Sequence, residues 1–182
     1  MEPLWLSQYP PGIPADIDIH EFASLTDVLL ASCQRFDDLP AYSNMGTSMS
    51  YAELERSSRH FAAYLQKSLG LRRGDRVALM MPNLLQYPVA LFGVLRAGMV
   101  VVNVNPQYTV PELEHQLLDS GAVAIVVLEN FAHTLQAVLQ RNLALSPIVI
   151  TTEVGDLLPL ARELLTNAVV KYVKHLVPPW KI

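Results

Sequence analysis

The stretch YPVALFGVLRAGMVVVNVNP, Tyr87–Pro106, most constrains what this 182-residue chain folds into. Its portion from Tyr87 to Val104 is 18 residues, close to the shortest length that crosses a bilayer as a helix. Arg96 stands at its middle, where insertion costs roughly 2.5–3.5 kcal/mol, and Pro88, Gly98 and Asn103 weaken a span further. A helix followed by a strand accounts for the same residues. Pro88 falls near the first helical turn, where a missing N–H does little harm, and Arg96 lies at the C-terminal end with the favourable dipole sign. Gly98 then supplies the left-handed residue that ends a helix, and the β-branched run Met99–Val104 reads as a strand. The stretch is therefore two buried elements in succession.

The same alternation organises the chain on either side. Residues 1–24, with Pro3, Pro10, Pro11 and Pro14, form an extended arm. Over 25–74 a helix to Phe36, carrying Leu25, Val28, Leu29, Ser32 and Phe36 on one side with Cys33 at its border, precedes a hairpin turning at Met45-Gly46. A second helix follows, opened by a Ser50/Glu53 capping box and ending near Gly70. Over 75–155 strands at Val77–Met81, Met99–Val104, Ala122–Leu128 and Ile148–Thr151 alternate with single helices, one opened by a Thr109/Glu112 capping box. Strands apolar on both faces and separated by helices require a mostly parallel sheet with helices on both faces, the α/β class. Residues 156–182 read as a basic, partly amphipathic helix, with Leu165, Ala168, Val169, Tyr172, Val173 and Leu176 as its stripe and Lys171, Lys174 and His175 largely off it. That stripe fits core packing or contact with anionic lipid. All four parts form one incomplete domain.

Composition closes off other classes. The net charge of −4 resolves into +3 over Thr166–Ile182, which holds three lysines and no acid, and −7 over the rest, so no phosphate-neutralising patch for nucleic acid exists. Cys33, the single cysteine, excludes an internal disulfide and reads as core; with no secretory signal at the start, a cytoplasmic location is expected. His20, His60, His115, His133 and His175 lack metal-ligand spacing, and Glu53 is better explained as a cap than as an acid-base partner of Glu55. Neither a dinucleotide fingerprint nor a P-loop follows any strand. The turns after the strands remain. Ligands of parallel sheets collect beyond the strands' carboxyl ends, which makes Asn83, Asn105, Gln107 and Tyr108 candidates for lining a cleft, although turn chemistry alone also accounts for Asn and Pro there. No catalytic residue and no metal ligand is assigned. The mean hydropathy of +0.26 leaves apolar surface in need of a partner.

The run GDRVALMMPNLLQYPVALFGVLRAGMVVVNVNPQYTVPELEHQLLDSGAVAIVV, together with WLSQYP, FAAYLQ and VVKYVKHLVP, resembles the N-terminal region of bacterial long-chain fatty acyl-CoA synthetases of the AMP-forming adenylating superfamily. The resemblance implies part of the large domain of an adenylate-forming enzyme. Such enzymes use ATP and magnesium (Mg2+) to convert a fatty acid to an acyl-adenylate, then pass the acyl group to coenzyme A. In that family the phosphate loop, adenine-binding motif, acyl tunnel and catalytic lysine follow the region seen here, so the 182 residues alone are expected to be inactive and to bind none of these cofactors tightly. The implied partners are fatty acid, ATP, CoA and the remainder of the synthetase packed on the apolar surface, with a homodimer through the N-terminal region and peripheral contact with the inner membrane as further expectations. The alternative is a non-catalytic dimerisation or membrane-docking module derived from such an enzyme.

Overall fold

A computed structural model describes residues 4–181. Pro3 of the expected arm and Ile182 of the expected tail helix lie outside the described residues.

The described residues of the arm begin with a 3-10 turn, Leu4–Gln8, and among them the hydrogen bonds are all local. Helix α1, Leu25–Arg35, starts where the Ser24 hydroxyl oxygen accepts from the Asp27 N–H at 3.2 Å. Its inward residues are Leu29 and Cys33, whereas Leu25 and Val28 are exposed. The face is thus rotated from the expected one: Cys33 is in the core as expected, on the inward face itself rather than at its border. Burial, with Glu55 adding to it, pushes the Cys33 thiol above its ordinary value, which removes the thiolate a nucleophile needs.

Strands β1, Pro40–Asn44, and β2, Thr47–Ser50, pair antiparallel around Met45 and Gly46, both at positive φ. Helix α2, Tyr51–Ala63, begins with the expected box: Glu53 N–H donates to Ser50 Oγ at 3.2 Å and Ser50 N–H donates to Glu53 Oε2 at 2.8 Å. One wider turn, Tyr64–Ser68, extends it before Gly70.

The alternating part follows as β3 (Arg76–Met80), α3 (Gln86–Arg96), β4 (Val100–Asn103), α4 (Val110–Ser120), β5 (Ala124–Leu128), α5 (Glu129–Arg141) and β6 (Ile148–Thr152). The four strands make one parallel sheet in the order β4-β3-β5-β6, with Val77 opposite both Val101 and Ala124. Strand alternation divides the core. Val77, Leu79, Ala124 and Val126 face α2 and α3, while Ala78, Met80, Ile125 and Val127 face Leu113, Leu117, Leu135 and Val138 of α4 and α5. Helices therefore cover both faces. Among the described residues no helix is long and apolar enough to cross a membrane. Tyr87–Val104 instead turns at Gly98, whose φ of +74° needs no Cβ and lets Gly74 N–H reach its carbonyl at 2.9 Å.

At the start of α4 both the N–H and the hydroxyl of Thr109 donate to Glu112 Oε2, at 2.8 and 2.6 Å, and these bonds hold the exposed Glu112 carboxyl below its ordinary value. A lowered carboxylate stabilises the folded state above the unfolded value, near about 4.3, and that contribution is lost as pH falls through the folded value. In urea titrations at stepped acid pH, Glu112→Gln should flatten the decline in stability below that point. An unchanged acid limb would show that the cap carries no linkage.

The tail departs from expectation. Helix α6 spans Leu160–Ala168 and a wider turn continues to Val173, rather than the whole of 156–182. Its apolar stripe faces outward, and Lys171, expected largely off the stripe, is off it and reaches Glu129.

Candidate functional site

The carboxyl end of a parallel sheet is where loops converge, and here it divides into two halves. Behind β3 and β4 lies a groove of about 340 Å³, bounded by Tyr42, Ser43 and Asn44 of the hairpin on one side and by Asn83, Leu84 and Tyr87 on the other. The hairpin is tied there by Asn44 Nδ2, which donates to the Asn83 carbonyl at 3.2 Å. Tyr87 Oη donates to Asn103 Oδ1 at 2.9 Å, and Gln116 Nε2 donates to the Asn103 carbonyl at 2.9 Å, which fixes the end of β4. Burial raises the Tyr42 phenol, with Tyr51 and Tyr87 adding to the effect, so Tyr42 stays protonated at neutral pH. The groove therefore offers neutral hydrogen-bonding groups and no acid or base.

Of the four residues singled out by sequence, only Asn83 lines this groove. Asn105 and Gln107 are exposed on the neighbouring loop, where Asn105 Oδ1 accepts the Gln107 N–H at 3.0 Å in an Asx turn. Tyr108 packs partly buried against the α4 side of the core.

The half behind β5 and β6 is charged, and sequence reading missed it. Glu129 and Glu153 directly follow the last residues of the two strands, and Lys171 Nζ lies 3.1 Å from Glu129 Oε2 and 3.6 Å from Glu153 Oε1. The Glu129 bond raises Lys171 above its ordinary value against the effect of burial. Burial raises Glu153, the adjacent Glu129 adds to this, and Lys171 opposes it. Beside them Asp156 accepts from Thr152 Oγ1 and the Glu153 N–H at 2.8 Å each, and Asn167 Oδ1 accepts the Gly155 N–H at 2.7 Å. The only sequence signal was position: a carboxylate immediately after each apolar strand. Among the described residues no group of three or more His, Cys, Asp or Glu is placed to hold a metal ion.

This architecture has close counterparts. A benzoate CoA ligase from Burkholderia xenovorans LB400 superimposes with a TM-score of 0.64 at 27% identity, covering 70% of this chain and 25% of that one. The long-chain-fatty-acid–CoA ligase of Yersinia pestis is 58% identical over 180 residues, 99% of this chain and 32% of the relative. The corresponding Bacillus subtilis ligase is 34% identical over 172 residues, 94% of this chain and 30% of that protein. The chain thus spans about a third of the length of the curated relatives it matches. The sequence model described as AMP-binding enzyme matches residues 29–180, from α1 through the tail, and with that match the chain belongs to the AMP-binding enzyme family.

Proposed function

We propose that this chain is the N-terminal part of a long-chain fatty acid–CoA ligase acting in the cytoplasm. The observation that carries the reading is 58% identity to the Yersinia pestis ligase across 99% of the chain. In the proposed reaction a fatty acid carboxylate attacks the α-phosphorus of ATP, releasing diphosphate and leaving an acyl-adenylate. The thiol of coenzyme A then attacks the acyl carbonyl, and AMP leaves. The residues present include no glycine-rich phosphate loop to seat ATP, and among the described residues no group of three or more His, Cys, Asp or Glu is placed to hold a metal ion. No chemical step is therefore assigned to them, and the 182 residues alone are inactive.

Their contribution is scaffolding. The sheet fixes the loops after β3 and β4, where Asn83, Asn105, Gln107 and Tyr108 line a cleft in the assembled enzyme. Support for that placement is their common position at the strands' carboxyl ends and the neutral groove at Asn83. A chimera in which this chain replaces the matching third of the Yersinia pestis ligase tests the function. Supplied with ATP, Mg2+, oleate and coenzyme A, it should form oleoyl-CoA, whereas the 182-residue chain should form none. A folded chimera without activity, or turnover by the chain alone, would overturn the respective claim.

A further inference from the structure

Residues 56–73 hold Arg56, Arg59, Lys67, Arg72 and Arg73 and no Asp or Glu. Charge totals conceal this run, because the carboxylates of residues 16–38 offset it. The fold gathers the cations onto one surface. Helix α2 buries Leu54, Ser58 and Ala62, and its wider turn buries Leu65, so Arg56, Arg59, His60 and Lys67 fall at helical spacing on the outward side, all exposed. Arg56 and Lys67 are about 16 Å apart along the axis. At the far end Gln66 Nε2 donates to the Ala97 carbonyl at 3.2 Å, and Arg73 Cγ lies 3.1 Å from where a Cβ on the neighbouring Gly98 would stand, which carries the basic surface past Lys67. These cations are largely unspent. Among the described residues Arg59 is the one of them in an ion pair, exposed by 59% and 3.6 Å from a Glu55 that Arg96 already holds at 2.8 Å.

We propose that this face docks an acidic helical segment of a partner protein, whose carboxylates meet the cations of α2 and its turn. Charge complementarity selects an anionic occupant, and the borders of the face select a short one. Carboxylates close it at both ends: Asp37 and Asp38 adjoin the start of α2, where Ala52 N–H donates to the Asp37 carbonyl at 2.9 Å, and Asp75 Oδ2 accepts the Arg72 N–H at 2.7 Å. A nucleic-acid duplex, charged along its whole length, would run over these groups. A lipid surface needs apolar side chains beside the cations to insert, and within residues 56–73 Tyr64, 42% exposed, is the one large hydrophobic side chain in solvent. Tyrosine and arginine together are what protein interfaces favour. The surface is there whatever reaction the assembled enzyme performs.

Fluorescence anisotropy with a labelled helical peptide tests this, its glutamates placed on one face at the same helical spacing. The 182-residue chain should bind it with a Kd on the order of 10 μM at low salt, and Arg59→Glu with Lys67→Glu should weaken binding at least about tenfold. Both side chains are exposed, so Tm should stay within about 1 °C of the parent. Lys174→Glu with Lys181→Glu makes the same change in net charge elsewhere and should leave the Kd within about twofold. The Yersinia pestis chimera should bind as the chain does. No binding of the peptide by the chain, equal weakening by the two pairs, equal affinity for a peptide whose glutamates are spread around the helix, or a folded chimera that does not bind would each overturn the inference. So would a short DNA duplex, or phosphatidylglycerol vesicles, that under the same conditions binds more tightly than the peptide and is released by Arg59→Glu with Lys67→Glu, giving the face to nucleic acid or to lipid. The readout is binding, so a chimera that binds the peptide yet makes no oleoyl-CoA refutes the ligase reading and leaves the docking face standing.

Discussion

Gly93→Val should abolish most of the stability of the α2–α3 face, with a loss of about 3 kcal/mol or more in urea denaturation. These two helices share the most extensive helix–helix contact in the molecule. They approach so closely that a Cβ on Gly93 would lie 2.7 Å from Phe61 Cδ1 and 3.1 Å from the Ser58 carbonyl oxygen. The ring can rotate, but the carbonyl belongs to the backbone of α2, so relief requires moving the whole helix. Gly93→Ala separates the terms. Alanine gains up to about 1 kcal/mol of helix propensity, set against overpacking of about 1–3 kcal/mol, so a smaller net loss is expected. Phe61→Ala in the Gly93→Ala background should recover only part of it, because the Ser58 oxygen stays. A Gly93→Val protein melting within about 0.5 kcal/mol of the parent would sink the close-packing account.

Much of the fold was legible because local and global signals agree. The two serine- or threonine-to-glutamate boxes sit where their helices begin, and Gly98 and Gly121 adopt the left-handed conformation where theirs end. Runs such as Val77–Met81 and Ala122–Leu128 are apolar at every position, which only a strand covered on both faces accommodates. Strand order was not legible, since alternation implies parallel strands without saying that β3 lies between β4 and β5.

Side-chain direction was the weakest inference, and the tail shows why. A stripe at helical spacing specifies a face but not which way it points. Burial of apolar area ordinarily decides, but here Lys171 meets carboxylates at the ends of β5 and β6, groups 42 and 18 residues away in sequence that become neighbours only once the crossovers are made. The candidate cleft divided for a similar reason. Asn83 and Asn105 follow adjacent strands, yet the hairpin packs beside Asn83 and forms a groove there, while Asn105 spends its side-chain Oδ1 on the local Gln107 backbone N–H.

Arg96→Leu should cost about 2–4 kcal/mol, although it makes the most apolar stretch of the chain more apolar still. The guanidinium is 13% exposed; Nη1 donates to the Glu55 carbonyl at 2.9 Å and to Ser58 Oγ at 3.2 Å, and Nη2 donates to Glu55 Oε1 at 2.8 Å. Its removal leaves a largely buried carboxylate whose other cation, Arg59, lies at 3.6 Å and is mostly in solvent. The partial exposure of Glu55, 28%, keeps the loss below that of a fully buried pair. Arg96→Lys should fall between parent and Arg96→Leu, since an ammonium carries the charge but cannot reproduce the planar fork. Adding Glu55→Leu to Arg96→Leu should restore much of the loss, because two apolar groups leave no orphaned charge. Urea midpoints of the parent, Arg96→Leu, Glu55→Leu and the double variant give the coupling, and repeating them at 1 M salt separates this site from an ordinary surface pair, whose contribution would be screened there. Additive losses for Glu55 and Arg96, or a coupling erased by salt, would mean that the arginine is tolerated at the joint of α3 and β4 rather than required to hold α3 against α2.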